Sequence, residues 1–170
     1  MADQVTEAKI EDLLPYREEV FLLCLGFSRN AAVAEDLCQD VYLKAYRKLD
    51  SVRRPEAAKY WLFRLARNVC RDHHRRSRIV SFDPLDAKAE RAAVSTDGGP
   101  DEFEDRLVRL KSSVEALPRK LREAFILRTY ARLSYEDVAR TLRIKEGTVM
   151  SRLHRARAAV ARTMKEERHG

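Results

Sequence analysis

Two amphipathic stretches separated by three residues constrain this chain most: LSYEDVARTL at 133–142 and EGTVMSRLHRARAAV at 146–160. At about 100° per residue, Val149, Leu153, Ala156 and Val160 fall on one narrow stripe, which predicts a helix seated on a core. Val138, Ala139 and Leu142 give the preceding stretch a short apolar face. Ser134 suits its N-cap, and Asp137 stands where a capping-box acid belongs. Two short helices joined by so brief a turn predict a helix-turn-helix. The second helix sets Ser151, His154 and Arg155 opposite its apolar stripe, with Arg152 and Arg157 flanking and Arg162 further along. In that motif the N-terminal part of the second helix enters the major groove and the rest runs past phosphates. Ser151, His154 and Arg155 are therefore expected at base edges, and Arg152, Arg157 and Arg162 nearer the backbone. A solvated amphipathic helix would show the same wheel. The capped helix before it favours the groove.

Charge is distributed in a way that supports a polyanionic partner. Of 170 residues, with a formal net charge of +7, residues 1–80 hold 15 Lys/Arg against 12 Asp/Glu, residues 81–105 hold 2 against 8, and residues 106–170 hold 17 against 7. Two basic segments thus flank an acidic one, and a basic surface gains affinity for nucleic acid by counterion release. The acidic segment contains Pro84, Gly98, Gly99 and Pro100 without sustained periodicity, which predicts a flexible linker. With no strand-like alternation elsewhere, the expected class is all-α: two small helical domains, 1–80 and 106–170, joined by the linker 81–105. No signal peptide and no apolar run approaching eighteen residues is read, so a cytoplasmic protein without membrane insertion is expected. Cys24, Cys38 and Cys70 are odd in number and widely spaced, which argues against a disulfide framework. Cys70, His73 and His74 lack a fourth ligand nearby in sequence, so no metal and no cofactor is expected.

The stretch EAAKYWLFRLARNVCRDHHRRSR, 56–78, reads as one long helix following Pro55. Leu62, Leu65, Ala66 and Val69 are its predicted buried side. Arg64, Arg67, Arg71, Arg75 and Arg78 form a basic stripe on the other, bordered by Tyr60, Trp61 and Asn68. Aromatic rings beside arginines suit single-stranded nucleic acid, whose bases stack while guanidinium groups follow the backbone. Trp61 fits a core role as well as a stacking one. In the preceding helix, 31–50, Ala34, Leu37, Val41 and Ala45 are core-spaced, while Asp36, Gln39 and Asp40 cluster away from them. Carboxylates there can serve the helix dipole, or meet a basic protein surface without competing with the nucleic-acid face.

AEDLCQDVYLKAYRKLD followed by YWLFRLARNVCRDHHRR resembles the second conserved region of bacterial sigma factors. ALPRKLREAFILRTYARLSYEDVARTLRIKEGTVMSRLHRARAAV resembles their fourth region. Two such regions with only a tether between them are the layout of the extracytoplasmic-function (ECF) subfamily, and the likeness spans about residues 10–80 and 105–165.

The resemblance implies a factor that binds core RNA polymerase, recognises −10 and −35 promoter elements and promotes strand opening. It implies polymerase contacts at Asp36, Gln39 and Asp40. For the −10 element it implies Tyr60, Trp61, Arg64, Arg67, Asn68 and Arg71, with 51–59 as a base-capturing loop. For the −35 element it implies Thr148, Met150, Ser151, Arg152, His154 and Arg155. The linker would run through the polymerase toward the RNA exit path, and an anti-sigma factor is an implied partner. The chain departs from the family at Arg143 and near Arg132, where glycine is frequent, and at Met150, where Lys or Arg is frequent. A left-handed backbone at the arginines would cost about 1 kcal/mol. The alternative is a two-domain helix-turn-helix regulator that binds duplex DNA without polymerase. An enzyme acting on nucleic acid finds no support, because no carboxylate cluster or metal-ligand pattern accompanies the basic helices.

Overall fold

The computed structural model of the chain describes residues 8–80 and 102–166, and all of its long elements are α-helices. They are α1 (Arg17–Ser28), α2 (Ala31–Lys48), α3 (Pro55–Val80), α4 (Glu102–Glu115), α5 (Arg119–Thr129), α6 (Tyr135–Leu142) and α7 (Glu146–Glu166). Short 3₁₀ turns precede α1 and connect α2 to α3. No strand occurs among the described residues. Most of the expected linker lies outside the described residues, although 102–105 already belong to α4.

Local chemistry sets the helix boundaries. The Asn30 side chain accepts a hydrogen bond from the Val33 amide and starts α2, and the Ser134 hydroxyl accepts from the Asp137 amide and starts α6. Each satisfies one of the donors a helix N-terminus leaves open. Among the described residues, three other than glycine take left-handed backbone: Arg29 (φ 58°), Arg132 (φ 56°) and Arg143 (φ 56°). Arg143 closes α6, where the amide of Ile144 returns to the carbonyl of Ala139 at 3.0 Å. The turn of the helix-turn-helix therefore keeps its glycine-type geometry with an arginine in it. Arg143→Gly is expected to stabilise the chain by about 0.5–1 kcal/mol, the relief of left-handed strain exceeding the added unfolded-state entropy. Urea denaturation checks this, and a loss of stability would mean that the Arg143 side chain contributes more than its backbone costs. Arg29 would respond otherwise, because it forms an ion pair with Glu115 at 2.9 Å that glycine cannot replace.

The predicted core stripes are occupied. Ala34, Leu37, Val41 and Ala45 of α2 are buried, as are Val149, Leu153, Ala156 and Val160 of α7. In α3 the buried set is Ala58, Leu62, Phe63, Ala66, Val69 and Cys70, while Leu65 is only half-buried. Instead of two separate cores, one apolar cluster runs from α1, α2 and α3 into α5, α6 and α7. A smaller cluster of Val114, Leu117, Ala156 and Val160 ties α4 to α7. The join between the halves depends on Gly26. A Cβ there would stand 2.7 Å from Ile126 Cγ2 and 2.9 Å from Tyr130 Cγ, so only glycine lets α1 approach α5 this closely. All three cysteines are buried, with Cys70 Sγ 3.6 Å from Cys24 Sγ.

Candidate nucleic-acid interface

The helix-turn-helix presents its second helix as the wheel predicts. Val138 and Val149 are fully buried, so α6 holds α7 by its N-terminal turns and leaves the outward side clear. Ser151, His154 and Arg155 are exposed, Met150 is 57 % exposed, and Thr148 and Arg152 are half-buried at the edges of the face. The Arg155 guanidinium lies along its own helix, donating to the Ser151 hydroxyl at 3.3 Å and to the Ser151 carbonyl at 3.4 Å. It is thereby held over the N-terminal half of α7. The Arg157 guanidinium and, to a smaller extent, that of Arg128 hold the Tyr135 hydroxyl below its ordinary pKa.

The basic stripe of α3 is differently placed. Arg64, Arg67 and Arg71 are half-buried, with α6 packed against α3 and Glu123 reaching across from α5. Arg67 Nη1 is 4.0 Å and Arg71 Nε 3.5 Å from the carboxylate of Glu123, whose side chain is only 9 % exposed. Arg119 Nε completes the ring at 3.9 Å. Arg64 donates to the carbonyl of Arg140 at 3.3 Å, and Arg140 donates to the Tyr60 hydroxyl at 3.2 Å with its guanidinium 5.2 Å from the ring centre. Lys59 pairs with Asp137 at 2.8 Å. Burial opposes ionisation of Asp137, but hydrogen bonds from Lys59 and Ser134 outweigh it and hold the carboxyl below the usual range. Burial lowers the pKa of Arg67, and the Glu123 charge offsets this only in part. Trp61 is half-buried and packed against the core edge, and Asn68 is exposed. Arg75 is exposed, and the side chain of Arg78 lies outside the described residues. The segment 51–59 is only partly a loop, since Pro55 to Lys59 form the first turns of α3.

The third face is on α2. Asp36 and Gln39 are exposed, and Asp40 is half-buried in an ion pair with Lys44 at 2.7 Å. One turn on, Leu43 is 57 % and Tyr46 71 % exposed. Sequence reasoning missed these two, although both are bulky side chains off the core stripe of α2. It also missed Glu123, which no wheel of α5 marks as a partner of α3.

The Sigma-70 region 2 family matches residues 14–79, and the Sigma-70, region 4 family matches residues 107–160. The chain is 31 % identical over 164 residues to the RNA polymerase sigma-H factor of Pseudomonas aeruginosa, covering 89 % of this chain and 83 % of that protein. It is 34 % identical over 134 residues to the ECF RNA polymerase sigma-E factor of Escherichia coli K12, covering 74 % and 70 %. It is 30 % identical to the ECF RNA polymerase sigma factor EcfG of Rhodopseudomonas palustris, covering 92 % and 85 %. Among solved structures, the sigma factor RpoE in complex with the anti-sigma factor NepR from Bartonella quintana superposes with a TM-score of 0.61 at 27 % identity, covering 91 % of this chain and 95 % of that one. CnrH, solved in complex with the cytosolic domain of CnrY, shares the fold with a TM-score of 0.66 at 21 % identity, covering 92 % and 88 %.

Proposed function

We infer how promoter recognition is divided within this chain from one premise: it belongs to the extracytoplasmic-function family of RNA polymerase sigma factors. It is a transcription initiation factor that binds core RNA polymerase and recognises −10 and −35 promoter elements. Residues 1–80 dock on polymerase and read the −10 element, residues 106–170 read the −35 element, and 81–105 link them. The observation that carries this assignment is the clear outward face of α7, where Ser151, His154 and Arg155 stand exposed beyond a tight turn. Thr148, Met150 and Arg152 border it. An apolar Met150 tip in the groove can touch a thymine methyl but offers no donor to guanine.

On α2, Asp36, Gln39 and Asp40 supply the charge for polymerase docking, and the exposed Leu43 and Tyr46 extend that face with apolar area. On α3, Tyr60, Trp61, Arg64, Arg67, Asn68 and Arg71 hold the melted −10 strand by stacking and backbone contacts. The chain acts by binding, not by catalysing a reaction, and works in the cytoplasm where polymerase and promoter meet. Among the described residues no helix is long and apolar enough to cross a membrane. An anti-sigma factor is a proposed partner, on the ground that the similar RpoE was solved with one.

Reconstituted transcription with core polymerase tests the division of labour. Asp40→Lys replaces an attractive contact by a repulsive one and is expected to weaken assembly with core enzyme, with the fold unchanged because the side chain lies off the core stripe. Arg155→Ala is expected to leave assembly intact and weaken −35 engagement by about 1–3 kcal/mol. Equal polymerase affinity for Asp40→Lys and wild type would remove α2 as the docking face. Tight, sequence-specific duplex binding at physiological salt without polymerase would favour an ordinary regulator instead.

A further inference from the structure

We propose that the cleft between α3 and α6 is a binding site for a free nucleotide, whose base lies on Trp61 and whose phosphates meet Arg64, Arg67 and Arg143. The site stands on the cleft's own residues and not on the assignment of α3 to the −10 strand, although Trp61, Arg64 and Arg67 are shared with that reader.

The cleft has a volume of about 370 Å³, a size that suits a single nucleotide. Its wall combines the half-buried Trp61 and the apolar Leu65 and Leu142 with four cations, Lys48, Arg64, Arg67 and Arg143. None of the lining side chains is a carboxylate. Glu123 meets Arg67 at 4.0 Å from outside the cleft, and no described carboxylate pairs with Lys48, Arg64 or Arg143. Guanidinium groups hold phosphate through paired N–H donors, and an indole ring is a stacking face for any base. An aromatic face set among unneutralised cations therefore matches a planar base joined to phosphates, better than it matches a bare anion or an apolar molecule.

Two features of the cleft are unfavourable to folding by themselves and become favourable with a phosphate in place. The first is Arg143, whose φ of 56° lies in the left-handed region that favours glycine. Its charge also falls on like charge: burial, then Arg143 and Arg67, lower the pKa of Arg64, and Arg143 acts on Arg67 in the same sense. This arginine is strained in its backbone and repelled in its side chain, and a phosphate among the three guanidinium groups turns the repulsion into attraction. Strain and crowded charge held together at a cleft mark a binding site. Glycine, frequent in the family here, would relieve both, so the site is a property of this chain. The second feature is Thr141. It lines the cleft with its side chain fully buried, and its hydroxyl has no hydrogen-bond partner. A threonine inside a helix ordinarily donates to the carbonyl one turn back. This one keeps its donor for a ligand oxygen, and the buried Arg67 Nε keeps a second.

Trp61 is the chain's one tryptophan, so its fluorescence reports on the site directly. Titration of the full chain with adenosine diphosphate should quench that fluorescence saturably. Inorganic pyrophosphate, which has no base to stack, should bind about tenfold more weakly. Thr141→Val and Arg143→Gly, neither of them a −10 reader, should each weaken adenosine diphosphate binding about tenfold, the loss of one hydrogen bond to a charged oxygen. Thr141→Val keeps the shape and removes an unpaired hydroxyl, and Arg143→Gly relieves the turn. Neither variant should therefore melt below wild type when nucleotide is absent, which separates lost binding from lost folding. No saturable quenching of the wild-type chain by adenosine diphosphate overturns the proposal. So does unchanged nucleotide affinity in either variant, because the nucleotide would then rest on α3 without the α6 side of the cleft. Pyrophosphate bound as tightly as the nucleotide overturns a nucleotide as the occupant.

Discussion

Phe63→Ala is expected to destabilise the chain by about 3–5 kcal/mol, the range for removing a large aromatic side chain from a well-packed core. Phe63 is fully buried and is the largest of the fully buried side chains among the described residues. It meets the Tyr16 ring edge-on, with centroids 6.1 Å apart, an arrangement that adds to its area burial. Tyr16 stands at the entry to α1 and Phe63 in the first half of α3, so truncation leaves a void where the N-terminal segment, α1 and α3 converge. The surrounding helices are tied by hydrogen bonds such as that from the Tyr42 hydroxyl to the Leu13 carbonyl at 2.9 Å, which limits their collapse into the gap. Urea denaturation followed by circular dichroism measures the effect. A loss below about 1 kcal/mol would show that the site relaxes far more than a close-packed core should.

Arg67→Glu is expected to lower initiation from a cognate promoter about 10- to 100-fold, corresponding to about 1–3 kcal/mol for a specific contact. The substitution acts at two places in opposite senses. In the free chain it sets a carboxylate opposite Glu123 in a site where the Arg67 side chain is only 17 % exposed, so repulsion should open the join. On the promoter it removes a cation from the strand-holding stripe and introduces a charge that repels phosphate. The variant should therefore be loosened across the join and inactive. Affinity for core polymerase should stay near wild type, since Asp36, Gln39 and Asp40 lie on another helix. Retained transcription by Arg67→Glu would take this arginine out of the −10 reader.

Much of this organisation is written in short-range pattern. Ser134 caps α6, apolar residues recur along α2 and α7 at helical spacing, and the turn at 143–145 separates two helices; each needs only neighbours within about four residues. At Arg143 the sequence raised the question without answering it: the family's frequent glycine marks a turn that favours left-handed backbone, and the structure shows the arginine adopting it. Leu43 and Tyr46 went unread because an exposed apolar residue acquires meaning only once a face is seen to be left uncovered.

What the sequence by itself determined is the helices α2, α3, α6 and α7, most of the apolar stripe each buries, and the kinds of group set opposite it, because these follow from a 3.6-residue period and local capping. Only the tertiary structure decided what the basic side of α3 faces. Lys59 meets Asp137 across 78 residues and Tyr60 meets Arg140 across 80, partnerships that no local period encodes. Glu123 reads in sequence as one more surface acid of a helix, and Gly26 as a mild defect in another. They become a counterion and a point of close approach only when α5 comes to rest on α1 and Glu123 reaches the arginines of α3. That docking depends on the fit of whole surfaces, since the gain in contacts must exceed the entropy lost on joining segments distant in the chain.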